Sequence, residues 1–154
     1  MTTCYVGMGS NIDKEVNIAA GLRQLEEAFG PLVVSPIYQT IPVGFTGHDF
    51  LNLVVRFETP LSVYEVVESL RRIEITQGRT PDAQKFTARQ LDLDLLLYGE
   101  AIIHEPSLIL PRPDIAKYRF VLQPLADIAP DEKHPLTQQT FRDMLEQFMC
   151  NAQL

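Results

Sequence analysis

The stretch LDLDLLLYG, residues 91–99, sets Asp92 and Asp94 into an otherwise apolar run. Side chains on a strand alternate between faces. This spacing therefore turns Leu91, Leu93, Leu95 and Leu97 one way and both carboxylates the other, roughly 7 Å apart along the strand. A buried ionised carboxylate is costly unless something pairs with it, so the carboxylate face is either solvated or holds cations. Two carboxylates so placed suit a pair of Mg²⁺ ions about 4 Å apart, an arrangement that clamps phosphate oxygens during in-line displacement. An amphipathic strand with a wet outer face shows the same pattern, and a DxD spacing by itself is a weak signal. The surrounding charge tilts the reading toward phosphate chemistry. Arg71, Arg72, Arg79, Lys85 and Arg89 all fall within residues 71–89, immediately upstream, out of 13 Lys and Arg in the chain.

The elements that must position these groups are legible from periodicity. Residues 3–9, TCYVGMG, read as a strand, and Asn11 or Asp13 is placed to cap the helix after it. Ile18, Leu22, Leu25 and Phe29 recur at helical spacing up to a Gly30-Pro31 stop. LVVSPIYQT, residues 32–40, is β-rich, with Pro36 marking an edge or an irregularity. A loop with Gly44 and Gly47 leads into the strand FLNLVVRFET. Ser62 and Glu65 form a capping box ahead of Val63, Val66, Val67, Leu70 and Ile73, a helical stripe running to about Gly78. With the 91–99 strand the order is β-α-β-β-α-β, which predicts an α+β ferredoxin-like sandwich whose helices cover one sheet face and leave the other for a site. The Pro-punctuated remainder predicts a C-terminal extension: a short strand, a proline-bounded turn, a further packing segment, and a helix from Thr137 carrying Phe141, Leu145 and Phe148. Neither a repeat nor a linker interrupts residues 1–154, so a single domain is expected.

Composition excludes several classes. With 45% hydrophobic and 21% charged residues, and no apolar run of membrane-spanning length, disorder and membrane insertion are not expected. The amino terminus reads as a first strand rather than a secretory signal, which points to the cytoplasm. Cys4 and Cys150 match no metal-binding spacing and read as reduced thiols. A formal net charge of −7 opposes nucleic-acid binding, so an anionic ligand must be met by a local basic cluster or by metal. A monomer is expected.

Several stretches jointly carry a family resemblance. YVGMGSN, FLN after a Gly-containing loop, IEITQGR, ARQLDLDLLLYG and FVLQPLADIAPD occur in an order and spacing that resemble 6-hydroxymethyl-7,8-dihydropterin pyrophosphokinase, over roughly residues 4–131. The resemblance implies the ferredoxin-like fold and transfer of pyrophosphate from MgATP to the pterin hydroxymethyl group, releasing AMP, in folate biosynthesis. It implies that Asp92 and Asp94 ligate two Mg²⁺ ions bound with ATP, and that Arg79 and Arg89 contact phosphate. Phe50 and Phe120 match pterin-stacking positions, Asn52 matches an amide that reads the pterin edge, and the loop with Thr40, Pro42, Val43 and Gly44 would complete that edge. Glu74, Lys85, Leu95, Arg112, Tyr118 and Arg119 fall at positions near the nucleotide, and loop 80–88 would be a mobile lid over it.

The chain departs from the family pattern around the triphosphate. Thr80, Pro81 and Asp82, then Lys85 and Phe86, stand where relatives carry more basic residues and a Trp. Pro111-Arg112 replaces a Pro-His pair, and Tyr118 replaces an Arg, with Arg119 adjacent. These changes leave open a non-catalytic pterin- or nucleotide-binding paralogue with an altered nucleotide lid. A palm-like nucleotidyltransferase, suggested by Gly9-Ser10 with the DxD pattern, is opposed by the long separation and the acidic charge.

Overall fold

The computed structural model describes residues 1–41, 49–78 and 90–152. The chain opens with β1 (Thr2–Ser10) and α1 (Lys14–Phe29). The buried stripe of α1 is Ile18, Gly21, Leu25 and Phe29. Gly21 lets α1 approach the sheet closely: a Cβ there would lie 2.9 Å from Leu91 Cδ2 and 3.1 Å from Met8 Cε, so those side chains would have to shift. Gly30, at φ 87, ends the helix in a conformation that favours glycine.

The 32–40 segment splits at Pro36 into β2 (Val33–Val34) and β3 (Tyr38–Thr40). Proline has no N–H for the ladder, and Ser35 bridges the break: its N–H donates to Val54 O at 2.9 Å and its Oγ accepts from Val54 N at 2.8 Å. After β4 (Phe50–Thr59) comes α2 (Val63–Thr76), opened by the Ser62–Glu65 capping box. Then follow β5 (Asp92–Tyr98), the hairpin β6 (Ile103–Glu105) and β7 (Leu108–Leu110), and the helices α3 (Asp114–Lys117), α4 (Arg119–Ile128) and α5 (Phe141–Ala152).

The main sheet runs β2-β4-β1-β5, with β3 also on β4, and every pairing is antiparallel. One face packs Cys4, Val6, Met8, Leu53, Val55, Phe57, Leu93 and Leu95 against α1 and α2. Phe29 and Phe57 stack there with centroids 4.1 Å apart. The second face is only partly free, since α3, α4 and α5 cover Tyr5, Val54, Leu96 and Leu97 through Ile115, Leu122, Leu125 and Phe141. Among the described residues, Gly7, Gly9, Phe50, Asn52, Asp92 and Asp94 lie on this face outside that helical cover.

Two local expectations are corrected. Leu97 does not share a face with Leu91, Leu93 and Leu95. Tyr5 pairs with Leu97 but Val6 with Leu95, so Leu96 is an extra residue that reverses the alternation. The C-terminal helix starts at Phe141 rather than Thr137. Gln138 takes φ 61 and Lys133 bridges Thr140, which holds this segment in a turn until Thr140 Oγ1 accepts from Asp143 N at 3.1 Å. Among the described residues no helix is long and apolar enough to cross a membrane.

Candidate active site

Strand register builds the site from three distant stretches. Gly9 of β1 pairs with Asn52 of β4 on one side and with Asp92 of β5 on the other. Tyr38 of β3 pairs with Asn52, extending the line across four strands. One step along, Gly7 lies between Val54 and Asp94. Directly opposed residues point to the same face, so Asn52, Asp92 and Asp94 stand on one surface with a glycine floor between them. A Cβ at Gly9 would come within 3.0 Å of Asn52 Oδ1 and 3.6 Å of Phe50 Cδ1. The floor is therefore kept low where a flat ligand would rest.

Asn52 is buried, and its Nδ2 donates to Thr40 Oγ1 at 2.5 Å. That bond assigns the amide: the nitrogen is satisfied by protein, and Oδ1 faces the glycine floor as an acceptor. Phe50 is half-buried at the start of β4, opposite Thr40. Phe120 is the second residue of α4 and stacks on Tyr118 with centroids 4.9 Å apart and planes 24° from parallel. Helix α4 packs on β3 and β4. The Tyr38 hydroxyl donates to Asp127 of α4, and this bond, followed by burial, pushes its pKa up to about 12. Sequence reading missed Tyr38. Its signal was its place on the same edge strand as Thr40, but its partner is 89 residues away.

Asp92 and Asp94 are both half-buried. Arg112 reaches Asp94 from the turn after β7: Nη2 lies 3.3 Å from Asp94 Oδ1 and Nε 3.5 Å from Asp114 Oδ2. Burial, then the neighbouring charge of Asp92, raise the Asp94 pKa to about 7; Arg112 works against that rise, while Asp114 and Glu74 add to it. Burial also opposes the charge on Arg112, but Asp94, Asp114 and Asp92 outweigh it and hold the guanidinium pKa above its ordinary value. The donor set is hard oxygen with an excess of acid. No cluster of three or more metal-ligating side chains forms among the described residues. Two carboxylates fit Mg²⁺, which keeps waters and takes its remaining ligands from substrate phosphate.

The other expected residues fall in three places. Glu74, at the end of α2, is buried, and its Oε2 accepts from Leu93 N at 2.8 Å, so it grips the strand between the two aspartates. Leu95 is also buried, in the helix-covered core, which leaves only its main chain available to a ligand. Arg119 is exposed, with Nη2 3.5 Å from Gln123 Oε1. Pro42, Val43, Gly44, Arg79, Lys85 and Arg89, with the expected lid at 80–88, lie outside the described residues.

Comparison with known proteins gives a consistent result. The family model for 7,8-dihydro-6-hydroxymethylpterin-pyrophosphokinase (HPPK) matches residues 5–130. The chain is 35% identical to 2-amino-4-hydroxy-6-hydroxymethyldihydropteridine pyrophosphokinase of Haemophilus influenzae, over 96% of this chain and 94% of that protein. It is 38% identical to the Bacillus subtilis protein of the same name, over 80% of this chain and 76% of the other. Among solved structures, an HPPK-DHPS crystallised with substrates superposes with a TM-score of 0.79 at 14% identity, covering 99% of this chain and 44% of the other. Plasmodium falciparum HPPK-DHPS gives the same TM-score at 13% identity. At such identities the structural likeness is one of fold, and the chain spans under half the length of those HPPK-DHPS chains.

Proposed function

The chain belongs to the 7,8-dihydro-6-hydroxymethylpterin-pyrophosphokinase family, and from that premise we propose that the sheet face carrying Asn52, Asp92 and Asp94 brings MgATP and the pterin together over the two aspartates. The protein is an ATP-dependent diphosphokinase that transfers pyrophosphate from ATP to hydroxymethyldihydropterin in folate synthesis. A binding-only paralogue is not favoured, because relatives that match nearly end to end are pyrophosphokinases.

The observation that carries the site assignment is the single line Asn52–Gly9–Asp92 across three strands. Pterin lies on the glycine floor between Phe50 and Phe120, with Asn52 Oδ1 accepting from its edge and main-chain groups of the Thr40, Pro42, Val43 and Gly44 loop completing that recognition. The hydroxymethyl oxygen is then directed toward Asp92 and Asp94. That oxygen bonds to the β-phosphorus of ATP, the bond from the β-phosphorus to the bridging oxygen of AMP breaks, and the hydroxyl proton is lost to solvent. Asp92 and Asp94 would hold two Mg²⁺ ions, which would supply charge neutralisation and alignment of the phosphate oxygens. Arg79 and Arg89 serve as phosphate-contacting catalytic residues. Glu74, Lys85, Leu95, Arg112, Tyr118 and Arg119 surround the nucleotide, Glu74 by holding the strand and Leu95 through its main chain.

The remaining parts of the reading are architectural. The order β2-β4-β1-β5 supports a ferredoxin-like sandwich, with β2 and β3 as one broken edge strand. Residues 1–154 act as one pyrophosphokinase domain, a cytoplasmic monomer. The test is AMP release from MgATP with and without 6-hydroxymethyl-7,8-dihydropterin, beside Asp94→Ala. Pterin-dependent AMP that disappears in the variant is the expected result. Folded protein that makes no AMP at saturating substrates would sink the proposal.

A further inference from the structure

Building on the assignment of Asp94 as a metal ligand, we propose that Arg112 is a resident counter-cation that occupies Asp94 until nucleotide arrives. MgATP loading is then an exchange in which the guanidinium leaves the carboxylate for the triphosphate. The main chain of Arg112 is fixed. Its N–H donates to Leu96 O at 3.0 Å, Pro111 before it is buried, and Ile115 is anchored in the second core at 0% exposure. Its side chain is held loosely by contrast. The contacts of 3.3 Å to Asp94 and 3.5 Å to Asp114 are long for charge-assisted hydrogen bonds, and the buried Nε makes no hydrogen bond. A fixed backbone with a guanidinium shared between two carboxylates describes a group able to swing without disturbing the fold.

The electrostatic consequence follows directly. A divalent cation and the guanidinium repel one another at Asp94 Oδ1, so Mg²⁺ alone must displace Arg112 with no new partner to receive it. With ATP bound, the phosphate oxygens offer Arg112 a bidentate acceptor, and both charges are accommodated. Arg112 therefore suppresses metal binding in the absence of nucleotide and couples metal entry to ATP entry. The same side chain acting only as an anchor for α3 would leave metal affinity unchanged.

The experiment reads binding of Mn²⁺ alone by electron paramagnetic resonance, in the unmodified chain and in Arg112→Gln and Arg112→Lys, with circular dichroism to confirm folding. Arg112→Gln should bind Mn²⁺ about tenfold more tightly, and Arg112→Lys, which keeps the charge, should return to the unmodified affinity. Equal or weaker Mn²⁺ binding by folded Arg112→Gln overturns the proposal. Should that variant fail to fold, the Arg112 side-chain ¹⁵N resonance of the unmodified chain decides. It should stay put with Mg²⁺ alone and move with Mg²⁺ plus a non-hydrolysable ATP analogue; any other pattern overturns the proposal. Pterin-dependent AMP formation, measured separately, keeps this failure distinct from failure of the function itself.

Discussion

The Glu74 carboxylate accepts a hydrogen bond from the Leu93 amide at 2.8 Å, joining the end of α2 to the residue between Asp92 and Asp94. Glu74 is 5% exposed, so the bond is made where water cannot replace it. A helix that packs on one face of the sheet thereby sets the pitch of two carboxylates on the other. Removing the acceptor leaves a buried N–H unsatisfied. Glu74→Ala should therefore lose about 1–3 kcal/mol of stability and raise the KM for MgATP. Glu74→Gln, which keeps an acceptor oxygen, should lose much less. Urea unfolding together with hydrogen exchange at Leu93 checks this, and a Leu93 amide equally protected in Glu74→Ala would contradict it.

Gly9 has no side chain where any other residue would stand against the ligand floor. In Gly9→Ala the new Cβ meets Asn52 Oδ1 at 3.0 Å, so the amide must give by a few tenths of an ångström. The chain should still fold, while pterin binding weakens by about tenfold, or ~1.4 kcal/mol. Binding of MgATP should change little, because the carboxylates lie on the neighbouring strand. Calorimetric titration of each substrate separates the two, and unchanged pterin affinity would remove Gly9 from the floor.

His134 makes stability depend on pH. Its ring is 6% exposed, and Nδ1 accepts from Leu136 N at 3.2 Å and Thr137 N at 3.4 Å, a role only the unprotonated nitrogen can fill. Burial lowers its pKa below the ordinary 6.5. The unfolded chain therefore takes up the proton first. The contribution of His134 is complete above about 6.5, the unfolded value, and is lost as pH falls through the lower folded value. Denaturant midpoints between pH 7 and 5 should fall more steeply for the unmodified chain than for His134→Asn. Parallel curves would show that another group governs this range.

Much of this protein was legible in its residues taken in order. The alternation that turns Asp92 and Asp94 to one face, the Ser62–Glu65 capping box, the Gly30-Pro31 stop and the break at Pro36 are all decided by neighbours a few positions apart, where backbone sterics and local hydrogen bonds leave little choice. Tertiary structure decided what meets across the sheet. Leu97 changed faces because Leu96 is an unpaired extra residue opposite β1, and no local pattern marks which residue a partner strand will skip. The helix expected at Thr137 was delayed by a turn around buried His134, whose ring sits edge-on to Phe141. Asn52, Gly9 and Asp92 are adjacent through cross-strand register alone, while Arg112 meets Asp94, and Glu74 meets Leu93, only after helices and turns dock on the sheet. Alternation and capping are properties of a segment. Register and ion pairing depend on how segments share a core, so the sequence by itself specified the chemical groups and their strand, and packing determined which of them face one another.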